Sequence, residues 1–301
     1  MKLIGVNRKI TQVLSAIGTN SYIPGFFTGR IYRGGAKHIC VPGLNCYSCP
    51  GALGSCPIGA LQTTLASLQG RISLYSLGTI ALIGSISGRF TCGWLCPFGL
   101  FQELLYKIPF KKKQRIVTPS GTPIPKSPLR YLKYIIFLLF VCILPALVRS
   151  DAGLGESWFC AYICPAGTIE AAFPLLLKNE SLRQVIGWRF IWKASIAVTI
   201  VLLSLYENRP FCKYICPLGA LYGVCNKASL FYLTIDRDIC TSCGKCQSVC
   251  GMGLDPVSEL TSAECIRCGA CKEICPTHAI TWTNSLYSAK KKIDHPINPV
   301  I

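Results

Sequence analysis

Cys240, Cys243, Cys246 and Cys250 are spaced C-x2-C-x2-C-x3-C, and Cys265, Cys268, Cys271 and Cys275 repeat that spacing. Compact runs of thiolates like these ligate iron–sulfur cubes, and in a tandem pair the last cysteine of each run serves the other cluster. The rule assigns Cys240, Cys243, Cys246 and Cys275 to one 4Fe-4S cluster, and Cys265, Cys268, Cys271 and Cys250 to a second. Zinc competes for any four-cysteine group, but zinc ribbons draw their ligands from separated C-x2-C knuckles, not from two compact runs. Proline follows Cys275, as it does at the end of the bacterial run, whereas Gly251 follows Cys250. That departure loosens a turn and removes no ligand.

The other thiols come in shorter groups. Cys92 and Cys96 in "CGWLCPFGLFQ", Cys160 and Cys164 in "CAYICPAG", and Cys212 and Cys216 in "CKYICPLG" share C-x3-C-P-x-G. A fourth copy, "CPIGALQ" at Cys56, has Ala52 where the first cysteine would stand, with Cys40, Cys46 and Cys49 close upstream. Proline directly after cysteine suits the first position of a helix, where its missing N–H has no intrahelical partner. A helix is therefore expected to begin at each copy. Its positive end faces the thiolates, stabilising an anionic metal–sulfur centre and raising its reduction potential.

The elements that carry these groups are apolar. In 301 residues the chain has 20 cysteines, 51% hydrophobic and 15% charged residues, and its mean hydropathy is positive. A dense cysteine content in a short secreted chain signals disulfides, but this chain is long and its spacings are tight. Residues 10–29, 72–88, 134–148 and 194–206 carry no charge. A hydrocarbon core of ~30 Å needs about 20 helical residues; the last two stretches reach that length as 131–148 and 185–206 if Lys133, Arg189 and Lys193 extend to the interface. Met1 to Lys9 has the basic character of a signal-peptide start, but the stretch after it is polar for such a peptide and lacks a small-residue cleavage site. Buried helices of a soluble protein are the alternative for all four.

Four spans leave five water-facing segments. Segments 1–9, 89–133 and 207–301 hold 22 Lys and Arg, against 9 in 30–71 and 149–193. By the positive-inside rule, "KIPFKKKQR" and both termini lie in the cytoplasm. Most of the net charge of +18 is then a topology signal, with "RYLKY" and "KKK" meeting lipid headgroups, and nucleic acid is not an expected partner.

Each pair of C-P-x-G motifs brackets one span: Cys56 and Cys96 flank 72–88, and Cys164 and Cys216 flank 185–206. The chain reads as two copies of one unit. Cys92, Cys96, Cys212 and Cys216 share one side and make a third four-thiolate site. On the opposite side, Cys40, Cys46, Cys49, Cys56, Cys160 and Cys164 fit one cluster with two spare thiols, two clusters with non-cysteine ligands, or, in an oxidising compartment, some disulfides. The faces are about a bilayer apart, ~30 Å, so electron exchange between them requires centres sunk inward, or a quinone or partner cofactor in between.

C-x3-C-P motifs at the ends of membrane helices, followed by a double run over 236–282, resemble the NapH/NosR-type membrane-bound polyferredoxins. The resemblance rests on Cys92, Cys96, Cys212, Cys216 and the two cysteine runs. It implies 4Fe-4S clusters and electron transfer between a membrane quinol pool or a cytoplasmic donor and a partner redox protein. The thiols at 40–56, 160 and 164 extend that pattern and suggest a chain of centres reaching both faces. No flavin-attachment sequence is present.

The expected fold is mainly α. It comprises about four transmembrane helices in two pseudo-repeats over 1–230, a small α+β bacterial-type ferredoxin domain over 231–283, and a basic tail over 284–301. Cys142 and Cys225 read as packing residues, Cys225 being near enough to the fourth motif to act as a spare ligand. His38, His278 and His295 are isolated, and neither a Ser/His/Asp set nor GxGxxG occurs. The chain is thus expected to carry electrons in the cell membrane without bond chemistry of its own. A redox sensor, or a zinc- or disulfide-stapled structural protein, are the competing classes.

Overall fold

A computed structural model of the protein describes residues 8–67, 74–110, 127–149 and 155–284. The "KKKQR" part of the basic loop, the start of the second expected span and the tail from 285 lie outside the described residues. The fold is mainly helical, with one two-stranded antiparallel sheet.

All four C-P-x-G copies open a helical segment. Pro57–Leu65, Pro97–Lys107 and Pro217–Cys225 each begin on the proline, with Cys56, Cys96 and Cys216 as the capping residue in extended conformation. Cys164 is extended in the same way ahead of the helical stretch that continues through Gly167–Ala172 and Phe173–Lys178. Extended backbone at the residue before proline is what the ring's clash with an α conformation dictates.

Among the described residues two helices are long and apolar enough to cross a membrane: Pro128–Leu147, with 20 residues, and Trp188–Tyr206, with 19. At 1.5 Å per residue each extends about 30 Å. Only 22% and 17% of their apolar windows are buried, so a burying role in a soluble core does not account for them. Leu132, Ile135, Leu138 and Leu139 on the first, and Ile191, Val198, Leu202 and Leu203 on the second, face outward. Leu74–Ser87 is apolar but has 14 described residues.

The first expected span differs from its forecast. Residues 10–29 do not form one helix: Arg8–Thr19 ends, and Pro24–Thr28 is a separate turn. Proline cannot continue the first helix because it lacks an N–H to donate. The 12-residue helix presents Ile10, Val13, Leu14 and Ile17 outward, at helical spacing, and turns Arg8, Gln12 and Ser15 toward the protein. Its polar side is the inner one.

One hydrophobic core runs through the helical part and into the C-terminal lobe, from Leu44 and Ile58 through Phe98, Phe159, Phe211 and Tyr222 to Met252 and Ile266. In that lobe β1 (Phe231–Ile235) pairs with β2 (Ile280–Asn284), Phe231 opposite Asn284 and Ile235 opposite Ile280. Leu233, Leu260, Cys271 and Ile280 form a small second core beneath the strands. The two cysteine runs share a backbone path: Ser242 and Arg267, then Gly244 and Gly269, all have positive φ. Each glycine precedes a short helix, Lys245–Ser248 or Ala270–Ile274, in the left-handed conformation that only glycine adopts without cost.

Candidate metal centres

The C-terminal lobe gathers its thiols into two sets. One hollow is lined by Cys240, Cys243, Cys246 and Cys275, the other by Cys250, Cys265, Cys268 and Cys271. The chain thus brings the last cysteine of each run to the other run's first three. Burial pushes the Cys265 thiol up to about 12 and the Cys246 thiol to about 11, while Thr277 and backbone N–H groups hold the nearly exposed Cys275 below its usual value.

Cys92, Cys96, Cys212 and Cys216 come together from the two halves of the helical part. All four are buried, and Cys216 has Cys212, Cys92 and Cys96 as its electrostatic neighbours. Burial raises the Cys96 and Cys216 thiols, and the other thiols add to the rise. At the helix starts, the Gly219 N–H donates to Cys216 Sγ at 3.3 Å; Gly99 and Leu44 N–H groups donate to Cys96.

Two fully buried arginines flank this set, each three residues before a motif. Arg209 donates to the Cys92 carbonyl at 2.5 Å and pairs with Glu103 at 2.8 Å. Arg89 donates to the Cys212 carbonyl at 3.1 Å and to the Ala263 carbonyl at 2.8 Å, and faces Glu264 at 3.4 Å. Each arginine therefore grips the other arginine's motif. Burial alone would raise Glu103, but Arg209, Arg8 and Lys9 hold it down at about 2, so it is a carboxylate at any working pH. A buried cation must be paired to persist, and these are.

The third gathering takes in Cys46, Cys56, Cys160 and Cys164. Cys164 has Cys160, Cys46 and Cys56 as neighbours, and all four thiols line a cavity of about 780 Å³ together with Cys40, Lys37 and Lys193. Burial pushes Cys46 and Cys160 up to about 12. Cys49 points elsewhere, its thiol 3.6 Å from Asn20 Oδ1.

The backbone at the four C-P-x-G copies repeats one contact. The carbonyl at the first position, Ala52, Cys92, Cys160 or Cys212, accepts from a cationic side chain: Lys37 at 2.7 Å, Arg209, Lys193 at 2.9 Å, and Arg89 respectively. Ala52 has lost the thiol and kept the geometry.

Thiolate-only sets suit zinc as well as iron–sulfur cores. A tetrahedral zinc with Zn–S bonds of ~2.3 Å would draw its thiolates to within roughly 4 Å of each other. Among the described residues no three His, Cys, Asp or Glu side chains converge as a single ion requires; the thiols of the C-terminal lobe and of the third gathering line hollows instead, which suits a multi-iron core.

The gatherings adjoin one another. A Cβ at Gly93 would lie 2.4 Å from the Ile266 carbonyl and 3.4 Å from Cys268 Cα, and Trp94 Nε1 donates to the Arg267 carbonyl at 3.0 Å. On the other side, a Cβ at Gly43 would lie 2.9 Å from Cys96 Cα, so the segment carrying Cys40 and Cys46 touches the Cys92/Cys96 motif. Tyr222, fully buried, has Cys92, Cys56, Cys96 and Cys40 around it. The Arg8–Thr19 helix serves as a ruler: Ser15 donates to the Leu95 carbonyl beside Cys96, and the Thr19 carbonyl accepts from Leu53 in the 40–56 segment. Four residues of helix rise about 6 Å. Along that helix the Cys96 motif and the 40–56 segment are therefore contacted about 6 Å apart.

The sequence reading overlooked the residue six places after each motif's second cysteine: Gln62, Gln102, Glu170 and Tyr222. Gln102 donates to Cys212 Sγ at 3.3 Å and accepts from Phe211 N at 3.1 Å. Gln62 does the same for Cys160 Sγ at 3.2 Å and Phe159 N at 2.9 Å. Glu170 accepts from Cys46 N at 2.9 Å, and burial still lifts it to about 7. The shared register is visible in the sequence, since CPIGALQ, CPFGLFQ, CPAGTIE and CPLGALY end on these residues, but nothing in it shows where the side chains reach.

A 4Fe-4S binding domain family matches 72–116, 134–179 and 190–231, and another 4Fe-4S binding domain family matches 261–281. The ferredoxin-type protein NapH of Escherichia coli is 26% identical over 254 residues, 77% of each chain. YccM of the same organism is 30% identical over 212 residues, 67% of this chain and 53% of that protein. The regulatory protein NosR of Pseudomonas aeruginosa is 31% identical over 176 residues, 58% of this chain and 22% of that protein. No solved structure matches the chain.

Proposed function

Since the chain belongs to the NapH/NosR-type polyferredoxins and carries several 4Fe-4S clusters, we propose that it relays electrons through the cell membrane. On this reading, electrons pass between a cytoplasmic donor or the quinone pool and a partner redox protein. The ligand sets are Cys240, Cys243, Cys246 and Cys275; Cys265, Cys268, Cys271 and Cys250; and Cys92, Cys96, Cys212 and Cys216. The observation that carries the proposal is continuity: Gly93 packs on Cys268 at one end of the inner motif and Gly43 on Cys96 at the other.

The cysteine thiolates would hold each cube, and a cube so held would supply one-electron transfer. The residues of the chain hold the thiolates in place, exclude water, and set countercharge beside them through Arg89 and Arg209. The chain itself performs no bond chemistry on a substrate.

We place four traversals in the bilayer, in two pseudo-repeats, with the ferredoxin lobe over 231–283 in the cytoplasm. The outward apolar faces of Arg8–Thr19, Leu74–Ser87, Pro128–Leu147 and Trp188–Tyr206 support that placement. The first helix runs from Arg8, which donates to the Gly93 carbonyl, to Thr19 beside the 40–56 segment. At about 18 Å it is short for the hydrocarbon core, and local thinning of the bilayer accommodates such a mismatch.

Iron and acid-labile sulfide per chain, on protein purified without oxygen in detergent, test the relay. About twelve or more irons, four per cube, are expected. About eight, by the same count, would leave only the ferredoxin lobe loaded and sink the proposal. The relative NosR is a regulatory protein, which favours regulation as the second reading; it predicts that cluster loss alters a partner's state without sustained electron flux.

A further inference from the structure

We infer that the helical part completes a fourth cluster site from Cys46, Cys56, Cys160 and Cys164, with Cys46 replacing the thiol missing at position 52 and with Cys40 and Cys49 left out. The inference rests on the iron–sulfur reading of the inner and C-terminal groups. It also goes past them, since the matched families cover Cys160 and Cys164 but not 40–56.

The second-repeat half of the site has its full C-x3-C pair. In the first-repeat half, Cys56 keeps its place at the start of the Pro57–Leu65 helix, where Gly59, Ile58 and Asn45 N–H groups donate to its thiol. Position 52 is alanine, yet its carbonyl is held by Lys37 as the three motif cysteines' carbonyls are held by their cations. The backbone is that of a ligand position without a ligand.

Cys46 fills the gap. A Cβ at Gly167, the glycine of the Cys164 motif, would lie 3.7 Å from Cys46 Sγ and 3.6 Å from Lys193 Nζ, so Cys46 reaches across to the second repeat. Cys160 and Cys164 both have Cys46 and Cys56 among their strongest electrostatic neighbours. The Cys49 thiol neighbours Cys46 but lies 3.6 Å from Asn20 Oδ1, is outside the cavity wall, and is not among the groups that most affect Cys56, Cys160 or Cys164. Cys40 shares the cavity wall but is not among the groups that most affect any of the four thiols.

The surroundings suit an anionic core. Lys37 and Lys193 line the cavity and Gln62 donates to Cys160; the buried Glu170, whose charge acts on Cys46 and Cys56, accepts from the Cys46 N–H. Loading a preassembled 4Fe-4S core exchanges one S–H bond for one Fe–S bond at each of the four cysteines and releases one proton from each.

The test is a set of single alanine variants of the full chain, C40A, C46A, C49A, C56A, C160A and C164A, each purified without oxygen and assayed for iron, sulfide and the EPR signals of the reduced protein. C46A, C56A, C160A and C164A are expected to lose about four irons each relative to the unmodified chain, together with one common EPR component. C40A and C49A are expected to keep both, and the ferredoxin signals report that each variant has folded. Where an alanine variant does not accumulate, the serine variant is judged by the same criteria.

Iron loss in C40A or C49A with C46A fully loaded would overturn the assignment. So would six variants all as loaded as the unmodified chain. About twelve irons in the unmodified chain, with the inner signal present, would defeat this site alone, whereas about eight would defeat the relay reading with it.

Discussion

Gln62 and Gln102 do two jobs with one side chain. The amide oxygen holds the backbone N–H of Phe159 or Phe211, and the amide nitrogen donates to the thiol one residue on, Cys160 or Cys212. Hydrogen bonds to cluster sulfurs raise the reduction potential, so Gln102→Leu is expected to lower the potential of the inner centre and leave the others in place. Gln62→Leu is expected to act on the outer centre alone. An EPR-monitored redox titration of each variant reads both shifts, and Gln102→Glu, which keeps the acceptor and loses the donor, should follow the leucine variant. Equal potentials in all of them would reduce the glutamines to packing. The arginines act at the same scale: Arg209 fixes the Cys92 carbonyl and Arg89 the Cys212 carbonyl, so each motif is oriented by the arginine that precedes the other.

Among the elements, the short turn Phe90–Trp94 is the joint between the helical part and the ferredoxin lobe. Phe90 stacks on Trp94 with ring centroids 5.1 Å apart and meets Trp282 of β2 edge-on at 5.7 Å. Gly93 is required there because the Ile266 carbonyl occupies the space of a side chain. A Cβ at 2.4 Å from a backbone oxygen has no room, so Gly93→Ala must push the lobe away from the inner motif. The expected result is unchanged iron content with weakened magnetic coupling between the inner centre and the Cys265/Cys268/Cys271/Cys250 centre. Hydrogen exchange across 263–269 should also quicken. Full coupling in the variant would show that the joint is not what holds the two together.

For the whole molecule, apolar helix faces surround a core that contains thiols, buried arginines and their carboxylates. Lipid is the solvent that leaves Leu132, Ile135, Ile191 and Leu202 outside without penalty. On the proposed topology the charge distribution would orient the assembly, since Lys and Arg concentrate in 1–9, 89–133 and 207–301. A reporter cysteine placed between residues 111 and 126 is expected to react with an impermeant thiol reagent only from the cytoplasmic side, and one at Ser181 only from the opposite side. Labelling of both from one side would require a different topology.

The sequence by itself determined the chemistry and the local geometry. Thiolate spacing decides which metal centres the C-terminal runs suit, and proline after cysteine decides that Cys56, Cys96, Cys164 and Cys216 each stand in extended backbone at the head of a helix; both are effects of a few neighbouring residues. Hydropathy was legible for Pro128–Leu147 and Trp188–Tyr206, because length and apolarity are sums over one segment. It misjudged 10–29, where a charge-free composition hid a break ahead of Pro24 and a polar face turned inward. Only the tertiary structure decided which of the six remaining thiols meet, that Gln62 and Gln102 reach sulfurs of a distant motif, and that the segment carrying Cys40 and Cys46 packs on the Cys92/Cys96 motif. Each of those depends on two segments far apart in the chain being packed against each other, and spacing along one segment carries no information about the distance to another.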